Sequence, residues 1–214
     1  IPKLVVSEDN GLNAGCGGKL WTAGKLLSIY LLENLDKVQR ENNLEINKIV
    51  EIGSGTGVVG LSLGLLLKSS LLLSSRKIYL TDLPLVLPIL SKNIRLNNLE
   101  SSISAQELDW NNEKLPDYLT HDNKKCDLVL AADCVYDPRA FDALRDTLIR
   151  LSKLNQEHED KETVILMASV KRRKCDLKFF KMLKKTFQVQ EIIDYKEYEE
   201  FRQKRCHLFK IILK

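Results

Sequence analysis

The residues best able to do chemistry are the run Val50-Glu51-Ile52-Gly53-Ser54-Gly55-Thr56-Gly57 and three carboxylates further on, Asp82, Asp109 and Asp133, each standing where an apolar run ends. Glycine at alternate positions permits a turn whose backbone angles are barred to residues with a Cβ, and lets a ligand lie against the main chain. The helical pattern that begins at Val58 aims its free N–H groups and the positive end of its dipole at the same point. Gly53, Ser54 and Gly55 are therefore expected to bind a nucleotide-type cofactor. Asp82 suits the two hydroxyls of a ribose, and Asp109 suits the exocyclic amine of adenine with Trp110 packed on the base.

Spacing alone leaves two registers open. Gly55, Gly57 and Gly60 spell the G-x-G-x-x-G of dinucleotide-binding folds, with Asp82 about where a ribose-binding acid belongs. From Glu51 the same residues read Glu-x-Gly-x-Gly-x-Gly, the first motif of S-adenosylmethionine-dependent methyltransferases, which place a methionine carboxylate and an adenosine there and no pyrophosphate.

These residues need a sheet edge to bring them together, and the chain is patterned for one. Leu26, Leu27, Tyr30, Leu31 and Leu35 predict an amphipathic helix of about four turns, followed by a polar connection over Gln39 to Asn47. Strands are expected at Ile49–Ile52, Lys77–Asp82, Ile103–Leu108, Cys126–Ala132 and Val164–Ser169, alternating with helices at Val58–Leu67, Val86–Leu96, Asp137–Leu154 and Leu177–Lys185. Alternation of this kind makes a doubly wound α/β sheet, in which ligands sit beyond the carboxyl ends of the strands. Two late strands, Val189–Ile193 and His207–Leu213, have no convincing helix between them and are expected to pair as an antiparallel unit. The expected fold is thus seven-stranded, mostly parallel, with an antiparallel last strand. Tyr195, Tyr198 and Phe201 stand at near-helical spacing, as for a helix packed on the core. Val5–Asn13 and Asn155–Glu162 read as loops.

At 214 residues and 44% hydrophobic content the chain suits one domain over 1–214, with an N-terminal loop and helix to residue 47 and a core from residue 48. Five scattered cysteines, Cys16, Cys126, Cys134, Cys175 and Cys206, form no C-x-x-C pair, which argues against a disulfide framework or a metal site and for a reducing compartment, cytosol or nucleus, of which the cytoplasmic setting is the expectation. Ile1-Pro2-Lys3 begins no signal peptide, the absent initiator Met suggests a trimmed N-terminus, and the most apolar run, Val58–Leu67, is too short to span a membrane. The stretch from residue 161 on carries 15 Lys and Arg against 7 Asp and Glu, with Lys171-Arg172-Arg173-Lys174 at its centre. Such a run docks an acidic surface, binds phosphates or is simply solvated.

Gly17-Gly18-x-x-Trp21, the glycine run from Glu51, Thr81-Asp82-Leu83, Leu108-Asp109-Trp110 and Ala131-Ala132-Asp133-Cys134-Val135-Tyr136 together resemble the ordered motifs of the seven-β-strand protein-lysine methyltransferases of family 16. The resemblance covers nearly the whole chain, and Asp133-x-x-Tyr136 is its most specific part. It implies S-adenosylmethionine as cofactor, contacted by Trp21, the glycine turn, Asp82, Asp109, Trp110 and Ala132. Asp133 then holds the acceptor amine, and Tyr136 walls the lysine channel. The runs Gly15–Trp21 and Val164–Ala168 with Lys171–Lys174 are similar to fungal members whose substrate class is a lysine of translation elongation factor 1-alpha. A protein substrate and a monomeric enzyme, with no nucleic acid or membrane partner, are the corresponding expectations. An RNA methyltransferase of the same fold, a nicotinamide-dependent oxidoreductase and an inactive cofactor-binding scaffold are the rival readings.

Overall fold

The computed structural model describes residues 3–9, 15–70, 72–73, 75–121, 126–154 and 162–214. Of the expected loops, residues 10–13 and 155–161 lie outside the described residues. Seven strands form one sheet in the order β3-β2-β1-β4-β5-β7-β6. They are β1 (Lys48–Ile52), β2 (Lys77–Asp82), β3 (Ile103–Glu107), β4 (Leu128–Ala132), β5 (Val164–Val170), β6 (Phe187–Ile192) and β7 (Cys206–Leu213). The pairs β1·β2, β1·β4, β2·β3 and β4·β5 are parallel, while β7 runs antiparallel to both β5 and β6. The antiparallel last strand is where the hydrophobic pattern puts it.

Alternation along the central strands feeds two cores, because successive side chains point to opposite faces. Ile49, Leu128, Leu130 and Leu166 join one cluster with α1 (Thr22–Glu41), α2 (Val58–Ser69) and α3 (Leu87–Leu96). Val50, Ile52, Val129, Ala131 and Met167 join the other, with α4 (Asp117–Thr120), α5 (Phe141–Lys153) and α6 (Asp176–Thr186). Phe201 of α7 (Tyr198–Gln203) packs into the first cluster, so the aromatic spacing there does mark a core-packed helix. Helix α1 runs about a turn and a half beyond the expected four turns. Val38 continues its buried stripe, and Arg40 and Glu41 lie exposed. The single turn α4 carries too few residues to show a period.

The strand order reverses between β1 and β4, and a crevice opens there at the carboxyl ends of the strands. Ile52 is in register with both Thr81 and Ala131, so three strands end level beneath it.

An N-terminal strap runs along α3 toward this edge. The amide of Asn97 accepts from Val5 N–H at 3.0 Å and donates to Val5 C=O at 2.7 Å. Asn93 treats Ser7 likewise, at 2.8 and 3.0 Å, and also donates to Thr56 C=O at 2.9 Å. Two side-chain amides one helical turn apart thus pair with alternate residues of an extended segment, as a neighbouring strand would. Asp9 N–H then donates to Gly18 C=O, and Leu20 N–H to the Glu8 carboxylate. Replacing the buried Asn93 by Ala removes the partners of Ser7 and of Thr56, and is expected to cost about 2–4 kcal/mol. Denaturant unfolding reads the loss, and limited proteolysis of the variant is expected to cut first within the strap.

Candidate active site

The turn after β1 is left-handed at Gly53, Gly55 and Gly57, with φ of +56°, +55° and +78°. A Cβ on Gly55 would sit 2.8 Å from the carbonyl oxygen of Gly17, so the missing side chain makes room for the segment leading into α1 to rest on the turn. One on Gly53 would meet the Trp110 ring at 3.1 Å and the Cys134 sulfur at 3.0 Å. The turn is fastened from β2. Asp82 Oδ2 accepts from Gly55 N–H and Oδ1 from Leu83 N–H, both at 2.8 Å. Ser54 N–H donates to Thr81 C=O, and the Ser54 hydroxyl donates to Glu51 C=O while accepting from Thr81 N–H. The N–H and hydroxyl of the buried Ser54 are therefore both committed to the fold, where they hold the backbone between its glycine neighbours. Asp82 keeps lone pairs beyond the two it uses, as a carboxylate offers about four acceptor sites.

Glu51 is a buried carboxyl on the α2 face of β1, 1% exposed. Its Oε2 accepts from Gly60 N–H at 2.8 Å inside α2. Burial pushes its pKa up to about 8, against the Gly60 bond and with help from Asp82. The carboxyl is thus held neutral near pH 7. Burial likewise raises Asp82, while its two backbone bonds pull it down.

All ten residues singled out from the sequence line one cleft of about 770 Å³, within the ~300–1,000 Å³ usual for small-molecule sites. Trp21 and Trp110 contribute two indoles. Trp21 lies at the start of α1 with its ring N–H donating to Cys16 C=O at 2.9 Å and 40% of its surface exposed. Trp110 is held through its carbonyl by Arg150 at 3.1 Å. Asp109 Oδ1 is engaged by the backbone and side-chain N–H of Asn111, both at 2.9 Å. Ala132 ends β4 on the cleft floor.

Asp133 and Tyr136 differ from one another. Asp133 has φ of +61° and a carboxylate only 5% exposed, gripped by both nitrogens of Arg172 at 2.8 and 2.5 Å. It is not the open carboxylate that its position in the sequence suggests. Tyr136 is 51% exposed at the opening, and burial of its ring half together with nearby acids raises the phenol pKa, so it is neutral. Arg173 donates to the Tyr136 carbonyl and to Asp176. Arg172 and Arg173 are cleft residues. The position of the basic run directly after the fifth strand already places it on the cofactor side, and the fold adds which two of its members line the cleft and what they pair with.

A nucleoside fits this cleft: two ring walls, a glycine backbone and an acid at the end of β2 are the donor and acceptor set it needs. Among the described residues no three His, Cys, Asp or Glu cluster as metal ligands, no helix is long and apolar enough to cross a membrane, and no two cysteines form a disulfide.

Comparison with known proteins agrees with the geometry. Residues 2–186 match the family model described as lysine methyltransferase, family 16. The protein-lysine N-methyltransferase EFM6 of Saccharomyces cerevisiae is 40% identical over all of this chain and 87% of its own length. An EEF1A lysine methyltransferase 3 of Xenopus tropicalis is 30% identical over 73% of this chain and 66% of its own. In fold, the N-terminal domain of human METTL16, solved with SAH, superposes with a TM-score of 0.55 at 15% identity, covering 91% of this chain and 71% of that one. The chain belongs to the family 16 lysine methyltransferases, and it is a protein-lysine N-methyltransferase.

The neutral Glu51 has a measurable signature. Its folded pKa lies above its ordinary value, so the stability it contributes is complete below that value and lost as pH rises through about 8. In the ligand-free protein, Glu51→Gln is expected to lie close to the wild type near pH 5 and to gain on it by about 4 kcal/mol by pH 9. Melting curves of both proteins across this range read the gap, and parallel curves would mean that Glu51 is ionised in the fold.

Proposed function

We propose that this chain transfers a methyl group from S-adenosylmethionine to a lysine of translation elongation factor 1-alpha. The observation that carries the cofactor part is the convergence of Trp21, the Gly53–Gly55 turn, Asp82, Asp109, Trp110 and Ala132 on one cleft. Support for the substrate comes from a relative at 30% identity that is named for EEF1A. The same reading takes residues 1–214 as one catalytic unit, monomeric and cytoplasmic.

When bound, S-adenosylmethionine supplies a methyl on a sulfonium, with a neutral thioether as leaving group. What remains for the protein is placement and proton state. Asp82, already oriented by two backbone bonds, accepts from the ribose hydroxyls. Trp110, fixed by Arg150, packs on the adenine, whose amine donates to Asp109. The turn keeps side chains away from the methionine portion, and Glu51 lies neutral beneath it. On the acceptor side Tyr136 walls the opening through which a lysine reaches the cleft. Asp133 accepts one hydrogen bond from the amine through a lone pair that its pairing with Arg172 leaves. A lysine ammonium, with a pKa near ~10.4, has no lone pair to attack with, so it must lose its proton before an in-line approach is of use.

Labelled S-adenosylmethionine and a cell lysate test the reading: label is expected in a protein band of elongation factor 1-alpha, and label in RNA would sink it. In thermal-shift assays S-adenosylhomocysteine is expected to raise the melting temperature and NAD to leave it unchanged. Asp82→Ala should weaken S-adenosylhomocysteine by about 30- to 1000-fold in calorimetry, and should also lower the melting temperature of the free protein, because the Gly55 and Leu83 N–H groups lose their acceptor.

A further inference from the structure

Arg172 makes two contacts that no other side chain of the cleft combines. Its guanidinium binds Asp133 through two parallel bonds, and the same group lies over the Trp21 ring, 5.6 Å from the centroid. Planar two-point pairing with a carboxylate and stacking on an aromatic face are both properties of arginine rather than lysine. The loop that carries it is itself fixed. Lys171 N–H donates to Arg205 C=O at 2.8 Å, and the N–H groups of Arg172 and Arg173 both donate to the buried Asp176 carboxylate, at 3.0 and 2.9 Å. Arg172 therefore joins the acceptor side of the cleft to the start of α1.

Asp133 would otherwise be a carboxylate with no neutralising partner. The charged and titratable groups around the pair come from every neighbouring element. Asp176 in α6 is occupied by Arg173. Cys206 in β7, with Lys204 beyond it, and Cys134 beside Asp133 are thiols that burial keeps protonated, Cys206 pushed up to about 12. Tyr136 is neutral, its Asp137 neighbour is paired with Arg139, and across the cleft Glu51 and Asp82 belong to the cofactor side. Arg172 is thus the group that decides whether an entering amine meets a free carboxylate or an ion pair.

We propose that Arg172 is a positioning residue for methyl transfer: by holding Asp133 on one side and Trp21 on the other, it presents the acceptor lysine with a pair of no net charge, so that the amine sits in the cleft as the free base. The inference rests on the proposed lysine reaction. A lone Asp133 carboxylate would attract the ammonium and raise the amine's pKa, keeping back the lone pair that the reaction needs. Paired, Asp133 can still accept a hydrogen bond without that penalty. The proton leaves to solvent through the opening at Tyr136.

The full chain tests this with Arg172→Met, Arg172→Lys and Asp133→Asn. Three quantities are measured on each: label transfer from S-adenosylmethionine to lysate protein from pH 6 to 10 at saturating cofactor, S-adenosylhomocysteine affinity by calorimetry, and melting temperature. Arg172→Met is expected to move the midpoint of the rising pH limb upward by about one to two units and to weaken S-adenosylhomocysteine about 2- to 5-fold through the loosened Trp21 ring. Arg172→Lys, which keeps the charge but not the fork, should bring the midpoint back while leaving the affinity low. A folded Arg172→Met protein with the wild-type midpoint overturns the proposal. Where Arg172→Met does not fold because it strands a buried charge, Asp133→Asn decides: its midpoint should move down, and an unmoved midpoint overturns the proposal equally. A wild type that labels no protein refutes the lysine reading and the charge argument together, and is seen before any variant is compared. The clasp on Trp21 is then read by calorimetry alone, where unchanged affinity in Arg172→Met refutes it.

Discussion

Asp82 holds Gly55 and Leu83 by their backbone N–H groups at once, and the site depends on that pair of bonds. It ties the turn after β1 to the chain leaving β2, and Ser54 and Thr81 repeat the tie one residue earlier. Only a turn fixed in this left-handed path leaves Gly55 bare for the carbonyl of Gly17. The strap, the start of α1 and the Trp21 ring all follow from that contact. The carboxylate therefore has a structural task that leaves other lone pairs of its own open to the cleft.

The cleft gathers Glu51, Asp82, Asp109 and Asp133 on one edge of one sheet. Where such a group is buried, desolvation penalises its charged form, as it does for Glu51 and Asp82. Each is settled differently. Glu51 keeps its proton, Asp82 is stabilised by backbone N–H groups, Asp109 by Asn111, and Asp133 by Arg172. The arrangement leaves a cavity with acceptor capacity but little net charge, which suits a ligand that carries a positive centre of its own.

The basic stretch at 171–174 changes meaning in three dimensions. Counted along the chain it is four cations in a row. Folded, all four stay exposed in part, but Arg172 and Arg173 are paired with Asp133, Asp176 and the Tyr136 carbonyl. The charge of those two is offset by buried carboxylates, and their side chains are part of the site wall.

Local pattern was enough for the sheet and for most of the site. Alternating burial in β1 and β4, the glycines between β1 and α2, and acids at strand ends are short-range features, written within a few residues of where they act. In a doubly wound sheet the strand ends are brought together by topology, so Asp82, Asp109 and Asp133 were bound to meet Gly53–Gly57. Contacts between segments far apart in sequence had no such signature. Asn93 and Asn97 pairing with Ser7 and Val5, the commitment of the Ser54 hydroxyl to Thr81, and above all the grip of Arg172 on Asp133 across 39 positions depend on how elements pack. Side-chain hydrogen bonding is decided by which donors the tertiary fold delivers within about 3 Å. Residue type alone shows that Asp133 can accept, and only the packed β5–α6 loop settles what it accepts from.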